Sequence, residues 1–204
     1  MSVLTIPPQR AADVDRAKDF LFKMYGENDW TEQSYLEIAN RSNQPVEFSE
    51  GRLIVLPMPT PDHQDLVWKI CEAFKTWARK HGGRAFISPL PIRLGLRKFR
   101  EPDVMLYSAE HSDRIAKQHG GPPDLVVEVL SPSTQDVDME EKMYEYAQAG
   151  IGEYWIVDSE SIHVEQYALD GDRYKLHAAL GKGDVVRSVT LDGLEVRVDE
   201  VYEK

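Results

Sequence analysis

Two carboxylates stand on two short apolar segments of this chain. Asp103 lies in Arg100-Glu101-Pro102-Asp103-Val104-Met105-Leu106-Tyr107, and Glu128 lies in Pro122-Pro123-Asp124-Leu125-Val126-Val127-Glu128-Val129-Leu130. A glutamate inside a run of Leu and Val sits where a charge is costly to bury, so it must be paired, hydrogen-bonded or bound to a cation. No dedicated arginine partner is evident beside either carboxylate, which makes a divalent metal the natural compensating charge. Neighbouring strands lie about 4.8 Å apart, close enough for two carboxylates to share one hard cation. A main-chain carbonyl such as that of Val129, together with waters, could fill the remaining positions. For Asp103, an ordinary polar residue at a strand start after Pro102 is an equal alternative. For Glu128 the burial cost favours the functional reading.

Lys142 is the third candidate. The apolar stripe of its predicted helix (Met139, Met143, Tyr146, Ala147, Gly150) leaves Lys142 at the boundary, roughly 80° from the centre. A boundary lysine can lay its stem along apolar surface and carry its ammonium to the strand ends. There it could neutralise charge on a scissile phosphate or orient a water, although an amphipathic-helix lysine with no such role fits the pattern too. Tyr146, one turn on, shares the face and could hydrogen-bond there or simply pack in the core. His63 falls in the first turn of another helix, a place more often structural than near substrate. Glu47 sits in a strand entering a turn, where glutamate is unexceptional.

These side chains must be positioned by one well-buried core, which 204 residues can hold with room for a small appendage. Hydrophobic residues make up 42% and charged residues 29%, ordinary for a soluble globular domain. No apolar run approaches a membrane span and no signal peptide pattern opens the chain, so a cytoplasmic protein without membrane association is expected. The lone Cys71 lies in a helical apolar stripe and excludes a disulfide framework or a Cys-based zinc site. Net charge is −11, which by itself argues against nucleic acid. The distribution argues the other way: residues 73–100 carry eight Lys or Arg and no Asp or Glu, in a chain with 35 acidic residues. A solvated basic face is the plain reading of such a run, but this one leads directly into Asp103 and so favours phosphate handling.

The pattern predicts a helix over 9–26, a short helix near 31–39, and a hairpin of 45–48 with 52–56 about the Ser49-Glu50-Gly51 turn. A long helix runs from an N-cap at Thr60, with Pro61 at its first position, to Gly82-Gly83. Residues 84–94 and 101–107 flank a Gly95-containing turn and read as one antiparallel hairpin. A polar loop over 108–121 follows, then a strand over 124–130, a helix over 137–149 and a strand over 153–158. This order implies a parallel crossover. Short strands with an Asp170-Gly171 turn fill 161–204. The expected class is α/β or α+β, a mixed sheet with helices on its faces.

With those residues in place the chain resembles the PD-(D/E)xK nuclease superfamily, and more closely the Uma-two family of restriction-endonuclease-like proteins. The likeness is carried by Val46–Leu53, Pro59–His63, Glu101–Val104, PPDLVVEVLSPST at 122–134, and Lys142 through Tyr146 to AGIGEYWIVD at 149–158. It implies a restriction-endonuclease-like domain over 29–204, with its core at 45–158 and added C-terminal strands at 161–204. Residues 1–28 would be a helical extension. It implies Mg²⁺, with Mn²⁺ a possible substitute, held by Asp103 and Glu128, and Glu47 as an auxiliary acidic residue. The superfamily lysine is replaced by Leu130 here, which makes Lys142 its substitute from the following helix. The implied activity is endonucleolytic hydrolysis of DNA. Arg93, Arg97, Lys98 and Arg100 would grip flanking phosphates, His63 and Tyr146 would stand near substrate, and a homodimer would cut both strands. Two other readings stand beside it: a nuclease-fold protein that binds or regulates without turnover, and a hydrolase of small phosphodiesters.

Overall fold

The computed structural model describes residues 30–42, 44–130 and 137–203, without the side chains of 137–139. The helix expected over 9–26 therefore lies outside the described residues. Helix α1 (Glu32–Ala39) starts at Thr31, whose hydroxyl and the Ser34 side chain cap one another's backbone N–H groups. Strands β1 (Val46–Ser49) and β2 (Arg52–Val55) form the expected hairpin. Its two loop residues, Glu50 and Gly51, both have positive φ, as a tight turn matched to strand twist requires. Helix α2 (Pro61–His81) is capped by the Thr60 hydroxyl, which accepts from His63 N at 3.2 Å, and ends at Gly82 in the left-handed region.

The segment read as one hairpin over 84–107 proves to be four strands in two sheets. β3 (Arg84–Ile87) and β6 (Val104–Tyr107) pair in a six-stranded sheet, whereas β4 (Ile92–Gly95) and β5 (Lys98–Arg100) pair in a four-stranded one. Prolines mark both crossings, Pro89 and Pro91 on the way out and Pro102 on the way back. Proline cannot donate to a ladder, so pairing lapses there and the hairpin bends from one sheet into the other. Asp103 sits at that bend.

The six-stranded sheet is completed by β7 (Leu125–Leu130), β8 (Glu153–Asp158), β9 (His163–Asp170) and β10 (Arg173–Gly181), in the order β10-β9-β8-β7-β6-β3. β7 and β8 run parallel, joined through α3 (Val137–Gln148), as the strand–helix–strand pattern implied. The small sheet has the order β2-β1-β5-β4. A two-stranded ribbon of β11 (Val185–Arg187) and β12 (Glu195–Arg197) precedes the short helix α4 (Val198–Tyr202). The C-terminal strands thus extend the main sheet through β9 and β10 and form a separate ribbon beyond it.

Alternation along the strands divides the large sheet into two faces. Val104, Leu106, Leu125, Val127 and Val129 pack with Phe74 and Trp77 of α2. Met105, Tyr107 and Val126 pack on the other side with Tyr146 of α3. A third cluster (Trp30, Tyr35, Ile38, Val46, Phe48, Phe99) joins α1 to the small sheet. Among the described residues no helix is long and apolar enough to cross a membrane.

Candidate active site

The register of β6 with β7 pairs Val104 with Val127, and the next step along both strands sets Asp103 opposite Glu128. Directly opposed residues share a face, and parity puts this pair on the α3 face, with Met105 and Val126. The expectation that the two carboxylates converge is met by the pairing itself. Asp103 lies at the strand end, where Val129 N donates to its Oδ2 at 2.8 Å.

Helix α3 brings two side chains to the same point. Lys142 Nζ donates to Glu128 Oε1 at 3.1 Å, and the Tyr146 hydroxyl donates to the same oxygen at 2.7 Å. One helical turn separates the two donors, so a single helix face delivers both. Lys142 also lies 3.4 Å from Glu47 Oε1. Glu47 comes from β1 of the other sheet and is only 1% exposed. It was unexceptional in sequence, because the sheet that buries it forms only when β5 returns through the bend. From the α2 side, His63 Nε2 lies 3.2 Å from Asp103 Oδ2. Its Nδ1 is buried with no hydrogen-bond partner among the described residues.

The basic hairpin is placed differently from expectation. Arg100 is 2% exposed and enclosed by carboxylates, with Nη1 2.8 Å from Glu47 Oε2, Nε 2.6 Å from Glu145 Oε2, and Nη2 3.0 Å from Glu141 Oε1. It holds β5 to α3 and to Glu47 and cannot grip a phosphate in solvent. Lys98 pairs with Glu145 at 2.8 Å, and Arg93 with Glu32 at 3.0 Å. Arg97 occupies the positive-φ turn position, its backbone N–H bonded to Glu32. Among the described residues none of these four lines the cavity around Asp103 and Glu128. The exposed cations of the basic stretch are Lys75, Arg79 and Lys80, on α2, and Arg84, at the start of β3.

Two participants had no sequence assignment. Glu101, just before the Pro102-Asp103 step, is buried, lines the cavity and leaves its Oε2 without a hydrogen-bond partner among the described residues. Its backbone N–H donates to Glu47 Oε1 at 3.2 Å. Tyr154, on β8, also lines the cavity with its buried hydroxyl unpartnered among the described residues. Two carboxylates within three residues, at Glu101 and Asp103, were the signal available for the first. A tyrosine in an apolar strand offered none for the second.

One ammonium serves several carboxylates here, and the balance shows in their acidities. Burial has the largest influence on Glu128 and raises it; Lys142 draws it down, while Asp103 and Glu47 push it up, leaving it at about 7 against an ordinary 4.5. Burial and the charge of Glu47 carry Glu101 up to about 8. Burial would raise Glu47 as well, but Lys142 and Arg100 outweigh it and hold Glu47 below the usual range. Burial works against the Lys142 ammonium, yet Glu128, Glu47 and Asp103 together keep it firmly charged. His63 is likewise raised: its bond to Asp103 overcomes the burial that would lower it. The site carries more negative charge than its own cations neutralise.

The cavity has a volume of about 870 Å³ and is walled by the 56–61 segment, the first turns of α2 and the ends of β6 and β7. Among the described residues no three His, Cys, Asp or Glu side chains are grouped to hold a metal ion. A cation here would therefore rest on two carboxylates, a main-chain carbonyl and solvent. That hard-oxygen set suits Mg²⁺, which keeps several of its waters.

A family model described as "Uma2: Putative restriction endonuclease" matches residues 32–199. The uncharacterized protein slr1290 of Synechocystis sp. is 26% identical over 176 residues, covering 83% of this chain and 90% of that protein. The crystal structure of a putative nuclease belonging to DUF820, from Anabaena variabilis ATCC 29413, superposes with a TM-score of 0.63 at 17% identity. That match covers 82% of this chain and 96% of the other.

Proposed function

The chain belongs to the Uma2 family, whose model spans its two sheets and the whole carboxylate site, and from that premise we propose that it is a divalent-cation-dependent nuclease hydrolysing phosphodiester bonds of DNA. The observation that carries the reading is the opposition of Asp103 and Glu128 in register, with the Lys142 ammonium 3.1 Å from Glu128 on the same face. Carboxylates from neighbouring strands, a lysine from the next helix and a surplus of negative charge form a donor set that lacks only a cation.

Asp103, Glu128 and the Val129 carbonyl would hold Mg²⁺, or Mn²⁺ in its place. The bonds from Val129 and His63 fall on one oxygen of Asp103, and those from Lys142 and Tyr146 on one oxygen of Glu128. The opposite oxygen of each would be the one to face the cation. When bound, the ion would supply Lewis acidity and offset the carboxylate charge. Lys142 places a fixed positive charge beside the pair, where negative charge develops on a phosphate under attack. Tyr146 and Glu47 hold that ammonium and Glu128 in place, and His63 orients Asp103. Two copies acting together would cut both strands, and a dimer in light scattering would support that arrangement.

Plasmid nicking tests the proposal. Wild-type protein with Mg²⁺ or Mn²⁺ should convert supercoiled to open-circular DNA, and Asp103→Ala and Glu128→Ala should not. Equal background nicking by all three would end it. A second reading, binding without turnover, draws on the Lys142–Glu128 ion pair, in which the ammonium already does part of a cation's work. Calorimetry showing no divalent-ion binding would favour that reading.

A further inference from the structure

Part of the cavity lining is apolar and exposed, and folding has no use for it in that state. Met58 and Trp68 are each 58% exposed, and both line the cavity. On α2 the side chains of Leu66, Val67, Ile70, Cys71, Phe74 and Trp77 turn to the core. Trp68 follows Val67 by about 100° around the helix and so faces away from that core. The other three tryptophans, Trp30, Trp77 and Trp155, are buried.

The charges lining the same cavity do not suit a duplex backbone. Lys142 is the one Lys or Arg among the described lining residues, against Asp65, Glu101, Asp103 and Glu128. Double-stranded DNA carries about one negative charge per 1.7 Å of axis, and its backbone pressed into this cavity would meet acids. A nucleobase is flat and uncharged, and exposed aromatic rings are the surfaces on which unpaired bases stack. At about 870 Å³ the cavity lies in the size range of small-ligand sites.

We propose that this cavity receives an unpaired nucleotide base-first, the base stacking on Trp68 and Met58 and its phosphate turned toward Asp103, Glu128 and Lys142. The preferred substrate is then single-stranded DNA, or a nucleotide extruded from a duplex. Lys75 holds its ammonium 5.8 Å from the Trp68 ring centroid and stands exposed on α2, placed to meet the phosphate that follows the stacked base. The inference rests on the nuclease reading for the identity of the polymer.

Because Trp68 is the exposed tryptophan, intrinsic fluorescence reports on it directly. The full chain is titrated in EDTA with short oligothymidylate and with the matching dT·dA duplex, followed by acrylamide quenching. Oligothymidylate should alter the emission, shield Trp68 from acrylamide and bind more tightly than the duplex. Trp68→Ala should weaken single-strand binding about tenfold, the size expected for losing one base–aromatic stack, and Trp68→Phe should recover most of it. Equal affinity for both DNAs, or an unchanged affinity in Trp68→Ala, overturns the proposal. So does a Trp68 already shielded from acrylamide in the free protein, since another part of the chain would then occupy the cavity. Single-strand binding that depends on Trp68, without cleavage in Mg²⁺, would remove the nuclease reading and leave the base site standing. Plasmid nicking with no Trp68 dependence would do the reverse.

Discussion

Glu128→Gln should stabilise the metal-free protein at pH 8 while abolishing cleavage. The Glu128 carboxyl is poised at about 7 in the fold against an ordinary 4.5. A raised acid binds its proton more tightly folded than unfolded, so between these values stability falls as pH rises, and above about 7 the whole penalty is present. At 1.36 kcal/mol per unit, the ionised carboxylate costs the fold about 3 kcal/mol. Glutamine keeps the shape, can accept from Lys142 and Tyr146 through its carbonyl, and carries no charge. For a chain of this size about 2–4 °C accompanies each kcal/mol, so the melting temperature at pH 8 should rise by roughly 6–12 °C. Differential scanning fluorimetry in EDTA from pH 5 to 9 measures it. The wild-type curve should descend with pH, the variant should lose the Glu128 part of that descent, and the Glu101 part should remain, because Glu101 is raised in the same sense. Added Mg²⁺ should stabilise the wild type and leave Glu128→Gln nearly unmoved. A variant that melts below the wild type at pH 8 would refute the reasoning, since the site would then hold no surplus of negative charge.

Lys142→Met strips the compensating charge from two buried carboxylates and should cost about 3–5 kcal/mol in urea unfolding, with part of the loss recovered by Mg²⁺. His63→Asn removes the group that bonds Asp103 Oδ2; a melt close to wild type with Mg²⁺ affinity about tenfold or more weaker by calorimetry is expected. Glu153, buried on β8, has no ion-pair partner among the described residues but accepts from Trp155 Nε1, Gln166 Nε2, the Ser188 and Thr190 hydroxyls, and the backbone N–H of Val189 and Thr190. Glu153→Ala orphans those donors and should destabilise the fold by about 3–5 kcal/mol, with the Mg²⁺ response of the folded protein intact.

Under the proposed function, stability and cation binding pull against each other at the carboxylate site and not at Glu153. Six donors meet the two carboxylate oxygens of Glu153. Glu128 shares one lysine with Glu47 and Asp103, and that balance leaves its carboxyl raised to about 7.

Local chemistry alone determined much of this protein. Thr60, Pro61 and Gly82 bound α2 because capping acts within a few residues of chain. Two-residue alternation put Asp103 on the side of Met105 and Glu128 on the side of Val126, and helical spacing put Lys142 and Tyr146 on one face of α3; it took the β6–β7 register to make the two strand sides one sheet face. What only the tertiary structure decided is who meets whom across long stretches of chain. The eight cations of 73–100 looked like one basic surface, but Arg100 is enclosed by Glu47 and Glu145, which lie 53 and 45 residues away. Glu47 looked unexceptional in a strand entering a turn, and its burial came with the bent hairpin that laid β5 against β1. Whether a charge faces water or a counter-charge depends on strand pairing between two sheets, and a pairing energy shared among distant segments leaves no local trace in the order of residues.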